Sequence, residues 1–284
     1  MKSNIIIAYL KLSKVFLSIA VAFSAFVGYS LSKNIDFTSS ILLIFGVFLL
    51  SSAASAINQI QEHKTDLLMN RTKNRPIPLK IISITEAFVF SFILILVGSV
   101  LLLKLNLLCF LLGLLNVVIY NLIYTPLKYK SQLGLLVGGL VGAVPPIIGW
   151  AASGLILFPS IVYFSVFMFL WQIPHFWILL LKYKQDYKNA NIKSISEYVE
   201  PERLNIIMFI WVLATSLLAF TFPYFGIISS IYSVIILVVI NALIIVSFVK
   251  FLFFQKNTIQ FKFANISVQA YLLAIFAIIL FENI

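Results

Sequence analysis

About nine stretches of nearly uninterrupted apolar residues, each roughly 20 positions long, limit what this chain can fold into. They run over 13–32, 39–60, 82–103, 106–124, 133–152, 158–181, 204–225, 227–254 and 264–281. A helix of about 20 residues crosses the hydrocarbon core of a bilayer and satisfies its backbone N–H and C=O groups internally. Barrel strands would instead alternate apolar and polar positions, which these runs do not do. Hydrophobic residues make up 62% of the 284 positions and charged residues 10%. A soluble domain carries about a quarter charged residues, and a disordered chain lacks apolar mass, so both classes are excluded. The sequence specifies an all-α, polytopic membrane protein of about nine transmembrane helices in a single domain, 1–284.

The net charge of +11 would suggest a nucleic-acid partner in a soluble protein. In a membrane protein it follows from basic cytoplasmic loops, and no nucleic acid is expected. Of the 20 lysines and arginines, all but Lys33 and Lys104 fall at the N-terminus or in the segments 61–81, 125–132, 182–203 and 250–263. That asymmetry places the N-terminus and both long polar connections, 61–81 and 182–203, in the cytoplasm and the C-terminus outside. The first run, Val15 to Leu31, has signal-peptide composition, but its length and the spans behind it make it the first anchor. Cys109 is the one cysteine, so no intramolecular disulfide and no cysteine-based metal or redox site is available.

The second span ends in Asn58, Glu62 and Asp66, spaced four apart. At about 100° per residue they fall within roughly 80° of arc, forming one polar stripe if the helix continues. Two carboxylates and an amide oxygen suit Mg2+, which takes oxygen ligands and completes its shell with water and phosphate. Arg71 and Arg75 follow and offer forked donors for phosphate oxygens. An acid stripe beside arginines is what a metal-bridged diphosphate requires. The same residues also fit a plainer role, a charged helix end with Glu62 and Asp66 paired to Lys64 or Arg71.

The sixth span closes with Trp171, Gln172, Pro174, His175, Phe176 and Trp177, followed by Lys182, Tyr183, Lys184 and Asp186. Asp186 is the acid able to reach a second metal from another helix end, and Lys182 and Lys184 are placed to contact a diphosphate. Trp171, Phe176, Trp177 and Tyr183 also read as an interfacial aromatic belt. His175 stands just inside an apolar run, where an ionisable residue points to function; a hydrogen bond to a backbone carbonyl is the alternative. Glu86 either orients Arg71, Arg75 or Lys128, or caps its own helix from the first turn near Ser83. Tyr124-Thr125-Pro126-Leu127-Lys128 closes span four. Gly138, Gly139 and Gly142 mark close helix approach in span five, where Pro145-Pro146 are expected to kink the helix and open room beside it.

Taken together these strings resemble the UbiA superfamily of intramembrane prenyltransferases, and within it the branch that farnesylates haem B. The matching pieces are Asn58, Glu62 and Asp66 with Met69, Arg71-Thr72 and Arg75-Pro76, then Ser83 to Ala87, Tyr124 to Lys128, and Gly142 to Trp150. The most discriminating is Trp171-Gln172-x-Pro174-His175-Phe176-Trp177, with Lys182-Tyr183-Lys184-x-Asp186-Tyr187 behind it. They come in the family's order over about residues 9–195. The sequence departs from the family's pattern at Lys64 and Gln185, where many members carry acids, and at Lys193-Ser-Ile-Ser196, where they usually read Pro-x-Leu-Pro.

The resemblance implies helices bundled around a central cavity open near the cytoplasmic side, in the cell (inner) membrane. It implies transfer of a farnesyl group from farnesyl diphosphate to a vinyl group of haem B, giving haem O. Mg2+ would be held by Asn58, Glu62, Asp66 and Asp186, and phosphate oxygens by Arg71, Arg75 and Lys128, with Lys182 and Lys184 in reserve. Tyr124 or Trp171 would face the allylic cation, and His175 would contact haem at iron or at a propionate. The lipid bilayer and a downstream haem-modifying enzyme are the other partners implied. Three rival readings differ in what they demand. A UbiA-type enzyme acting on an aromatic quinone precursor shares the acid stripe. A secondary transporter expects Gly or Pro breaks in matching halves, and Pro145-Pro146 has no such counterpart. A haem-binding scaffold expects paired axial histidines, whereas His63 reads as a loop residue and His175 stands alone.

Overall fold

The computed structural model describes residues 5–132, 134–155, 157–190, 199–253 and 258–284, and within them the regular structure is helical throughout. Lys2, Lys193 and Lys256 of the charge asymmetry, and the 193–196 departure, lie outside the described residues. In chain order the helices are α1 (Ile5–Leu12), α2 (Val15–Ser30), α3 (Phe37–Asp66), α4 (Ile84–Leu105), α5 (Leu107–Val118), α6 (Thr125–Lys130), α7 (Gly134–Ala152), α8 (Pro159–Lys182), α9 (Lys184–Asn189), α10 (Pro201–Ala219), α11 (Ile231–Phe253) and α12 (Thr258–Asn283). A π-helical turn, Ile119–Tyr124, joins α5 to α6.

Among the described residues seven helices are long and apolar enough to cross a membrane, and α1 with α2, bent by 45°, makes an eighth if the pair is one span. The seventh expected span, 204–225, is helical only to Ala219. Its remaining residues, 220–225, are mostly apolar but include Pro223, and Gly226 just behind them takes a φ of +67° that suits glycine, so the segment runs in turns. Two connections expected as loops begin as helix. The first span-four connection, 125–132, stays helical to Lys130 because the π turn widens the backbone ahead of Pro126, whose ring would otherwise meet the carbonyl four residues back. His63 lies in the last turn of α3, with Nδ1 2.7 Å from the Ile60 carbonyl. Pro145 and Pro146 sit inside an unbroken α7.

Local signals set the ends. Asp36 accepts from the Ser39 amide at 2.7 Å to start α3, and this bond holds its carboxyl below the usual carboxylate range. Ser83 and Glu86 form a reciprocal capping box on α4, which settles Glu86 as a cap. Asn106 breaks α4 from α5 and caps the latter through the Cys109 amide at 2.9 Å.

The helices pack as a ring, α3 along α4, α2 along α3 and α7, α7 along α8, and α12 returning against α8 and α2. Small residues allow backbones to meet where lipid supplies no hydrophobic drive. A Cβ on Gly28 would strike the Pro146 backbone and one on Gly149 the Ala25 carbonyl, so α2 and α7 touch main chain to main chain. Outward faces carry bare apolar side chains such as Phe88, Phe92, Leu122 and Ile235, as lipid contact requires. Inside the ring lies an apolar cavity of about 510 Å³ walled by α2, α3, α5, α7, α8 and α12. Phe16 and Leu273 line it and are also exposed on the outer surface, so it opens sideways between α2 and α12.

Candidate active site

The polar stripe read from the sequence survives intact, because α3 continues to Asp66, past the end of its apolar run. Asn58, Glu62 and Asp66 are all buried, at 1%, 4% and 0% exposure. Their partners come from other segments. Arg75 donates to both Asp66 oxygens at 2.8 Å and lies 3.7 Å from Glu62 Oε2. Lys128, at the end of α6, forms an ion pair with Glu62 Oε1. Asn58 Nδ2 donates to Thr125 Oγ1 at 3.2 Å, and that hydroxyl donates to the Tyr120 carbonyl at 2.9 Å, so the π turn fixes which way the amide oxygen faces.

The pairing differs from the plainer sequence reading. Lys64 is exposed, since residues two apart on a helix do not face each other. Arg71 is exposed as well and stacks over the Tyr183 ring at 4.9 Å. The loop after α3 turns back on itself, with Thr72 Oγ1 donating to the Asp66 carbonyl at 3.1 Å, and this turn delivers Arg75 to the stripe.

Asp186, on α9, is buried beside the same loop. Its oxygens accept the Asn70 amide at 3.2 Å and the Arg71 amide at 3.0 Å. Met69 and Ala190 pack together with Tyr129 and Tyr187 beneath this junction, so the two polar connections meet as one roof. Lys182 lies over the Tyr183 ring at 5.2 Å, whereas Lys184 is exposed and makes none of these contacts. Among the described residues no three His, Cys, Asp or Glu side chains form a ready metal cage. The oxygen donors that converge are Asn58, Glu62 and Asp66, with Asp186 held at the neighbouring turn.

Tyr124, Trp171 and His175 belong to the cavity beneath the cluster. The Tyr124 ring stacks on Tyr120 at 5.3 Å and receives Lys128 Nζ 5.6 Å from its centroid, so it borders charge above and hydrocarbon below. Trp171 donates to the Val268 carbonyl at 2.8 Å, and His175 stacks on Trp171 at 5.5 Å with Nδ1 2.9 Å from Gln269 Nε2. His175 therefore bonds a side-chain amide on α12, not the backbone carbonyl considered from sequence.

Two members of the site escaped the sequence reading. Lys14 Nζ donates to Asn58 Oδ1 at 3.1 Å and shares the field of Glu62, Asp66, Arg75 and Lys128. In sequence it is one more cytoplasmic-side charge, and nothing near it signals a helix break. Thr125 was legible only as part of a string, not as the residue that orients Asn58.

Comparison with known proteins bears on the family and the fold. The sequence matches the UbiA prenyltransferase family over residues 20–276. It is 40% identical over 192 residues to the protoheme IX farnesyltransferase of Cytophaga hutchinsonii, covering 66% of this chain and 67% of that one. It is 38% identical over 190 residues to that of Christiangramia forsetii, covering 66% and 63%. The chain thus aligns with about two thirds of these relatives' length. The fold matches a solved structure of digeranylgeranylglyceryl phosphate synthase with a TM-score of 0.79 at 20% identity, covering 99% of both chains. It also matches a UbiA homologue from Archaeoglobus fulgidus bound to GPP and Mg2+, with a TM-score of 0.65 at 16% identity over 96% of this chain and 99% of that one. At such identities these likenesses establish the fold, and with the family match over most of its length they lead to one conclusion: the chain belongs to the UbiA prenyltransferase family.

Proposed function

We propose that this multi-pass membrane protein transfers a farnesyl group from farnesyl diphosphate to a vinyl group of haem B, giving haem O and diphosphate. One observation carries the reading: a buried cluster of acids and cations sits directly on an apolar cavity of about 510 Å³, with Tyr124 bordering both. A substrate with a polyanionic head and a long hydrocarbon tail matches that division. The names of the relatives support haem as acceptor. The reading includes the cell (inner) membrane, with the N-terminus and the roof of the site on the cytoplasmic side.

The donor set fits a hard divalent cation. Asn58, Glu62 and Asp66 offer only oxygen, from one helix face, and a homologue of the same fold binds GPP with Mg2+. Asn58, Glu62 and Asp66 would hold Mg2+, with Asp186 from the second connection. When bound, the ion neutralises charge on the departing diphosphate.

The chain's own groups do the rest. Arg75 and Lys128, paired here with Asp66 and Glu62, would bind phosphate oxygens, with Lys14 and Arg71 alongside. Loss of diphosphate breaks the allylic C–O bond and leaves a farnesyl cation. The faces of Tyr124 and Trp171 stabilise that cation, and the apolar walls keep water away until the vinyl carbon attacks. The new C–C bond moves the positive charge to the porphyrin-side carbon. Water adds there and loses a proton, which leaves the hydroxyethylfarnesyl chain.

The test is to incubate purified protein with haem B, farnesyl diphosphate and Mg2+ and to weigh the products. A haem heavier by one farnesyl group and one hydroxyl group, lost on chelation and restored by Mg2+, is expected. Unchanged haem alongside prenylated 4-hydroxybenzoate would transfer the reading to a quinone-precursor enzyme.

A further inference from the structure

We infer that Gln59 is a positioning residue for diphosphate binding: it caps the broken end of α1 and thereby sets the Lys14 ammonium against the polar cluster. The inference rests on the proposed function only in taking that cluster as the diphosphate site.

The break between α1 and α2 contains neither glycine nor proline. Its vertex is Lys14, at φ 45° and ψ 52°, a left-handed conformation that L side chains rarely adopt. Something outside the segment must hold it there. Following each carbonyl around the bend identifies what does. The Lys11 carbonyl accepts the Lys14 amide at 3.2 Å, and the Lys14 carbonyl accepts the Ser18 amide at 3.1 Å. The Ser13 carbonyl accepts Ser18 Oγ at 3.0 Å. The Leu12 carbonyl, on a residue with no exposed surface, is left to Gln59 Nε2 at 2.9 Å. The second amide hydrogen of Gln59 goes to the Lys11 carbonyl at 3.0 Å. Gln59 is itself 1% exposed, and both of its N–H donors end on α1.

The next residue back on α3 completes the device. Asn58 accepts Lys14 Nζ, so adjacent positions of one helix hold the backbone before Lys14 and the tip of its side chain. Without the Gln59 amide, the buried Leu12 carbonyl loses its partner in surroundings that offer no water. The low-energy remedy is the ordinary one, a bond from the Phe16 amide that continues α1 into α2. That straightening removes the 45° bend and turns Lys14 away from Glu62, Asp66 and Arg75.

The prediction separates positioning from mere stability by non-additivity. Wild type, Lys14→Met, Gln59→Leu and the double variant are assayed for binding of farnesyl thiolodiphosphate with Mg2+, and for amide hydrogen exchange over residues 12–18. Lys14→Met is expected to weaken binding about tenfold, the worth of one charge-assisted hydrogen bond. Gln59→Leu should weaken it nearly as much, and the double variant by no more than about twofold beyond Lys14→Met. Exchange over 12–18 should change in Gln59→Leu and not in Lys14→Met. Should Gln59→Leu fail to accumulate, Gln59→Asn, whose amide falls one methylene short, carries the same expectations. Wild-type binding by Gln59→Leu, or losses that multiply to about a hundredfold in the double variant, would overturn the inference. Neither result touches the acceptor, because haem is absent; a wild-type protein that binds the analogue yet leaves haem unmodified would sink the proposed function instead.

Discussion

Replacing Arg75 by methionine tests two consequences of one contact. Asp66 has no exposed surface and receives both of its short hydrogen bonds from Arg75 at 2.8 Å. Breaking a buried ion pair by removing one partner costs about 3–5 kcal/mol, because the remaining charge is stranded. Arg75 is 20% exposed, so water enters where its guanidinium stood and the cost lies near 3 kcal/mol, several degrees in Tm. The catalytic loss has a different origin. A guanidinium that leaves Asp66 for phosphate makes two charge-assisted bonds, each worth about 1.5–3 kcal/mol, so kcat/KM for farnesyl diphosphate falls by at least about 10²-fold. The Asp66→Asn/Arg75→Met protein separates the two. Its Tm returns most of the way to wild type because no charge is stranded, while turnover stays lost because both functional groups are gone. Detergent-solubilised protein, a thermal melt and a coupled diphosphate-release assay suffice. Activity that recovers along with stability would refute the reasoning and reduce the pair to a structural bridge.

Other perturbations probe separate parts of the account. His175→Leu removes the side chain bonded to Gln269 in the cavity wall, and should raise KM for haem severalfold while KM for farnesyl diphosphate stays within about twofold; equal effects on both would contradict a haem-side role. Glu86→Ala breaks the capping box and should lower Tm slightly without changing either KM, as steady-state kinetics will report. Gly28→Ala forces a methyl into the Pro146 backbone and should destabilise by about 1–3 kcal/mol. Gly142→Ala meets the movable Gln172 side chain first and should cost less, which paired thermal melts will compare.

The helices were readable because each apolar run is long, and an α-helix is the open-chain structure that satisfies its backbone in lipid. The acid stripe was readable because a spacing of four survives as one face of α3. Ser83 and Glu86 carry the spacing of a capping box, one of the two roles the sequence left open for Glu86. What stayed hidden depends on tertiary return. Arg75 reaches Asp66 through a folded loop, whereas sequence proximity favoured Lys64 or Arg71. Lys14 reaches Asn58 only because a bend is imposed on α1 from α3, by a glutamine that looks like one more polar residue at a helix end. Residues 125–130 read as a connection because the apolar run ends at 124, and the π turn that carries the helix past Pro126 has no sequence signature here. The seventh span reads too long for the opposite reason: 220–225 continues its mostly apolar run, but with Pro223 in it and Gly226 just behind, the chain turns after Ala219.

The most direct measurement is an experimental structure with farnesyl thiolodiphosphate and Mg2+ bound. The account places the diphosphate between Asp66, Arg75 and Lys128, with the isoprenoid running past Tyr124 into the cavity toward His175. A head group bound elsewhere, or a tail lying outside the α2–α12 opening with the cavity left to lipid, would contradict it.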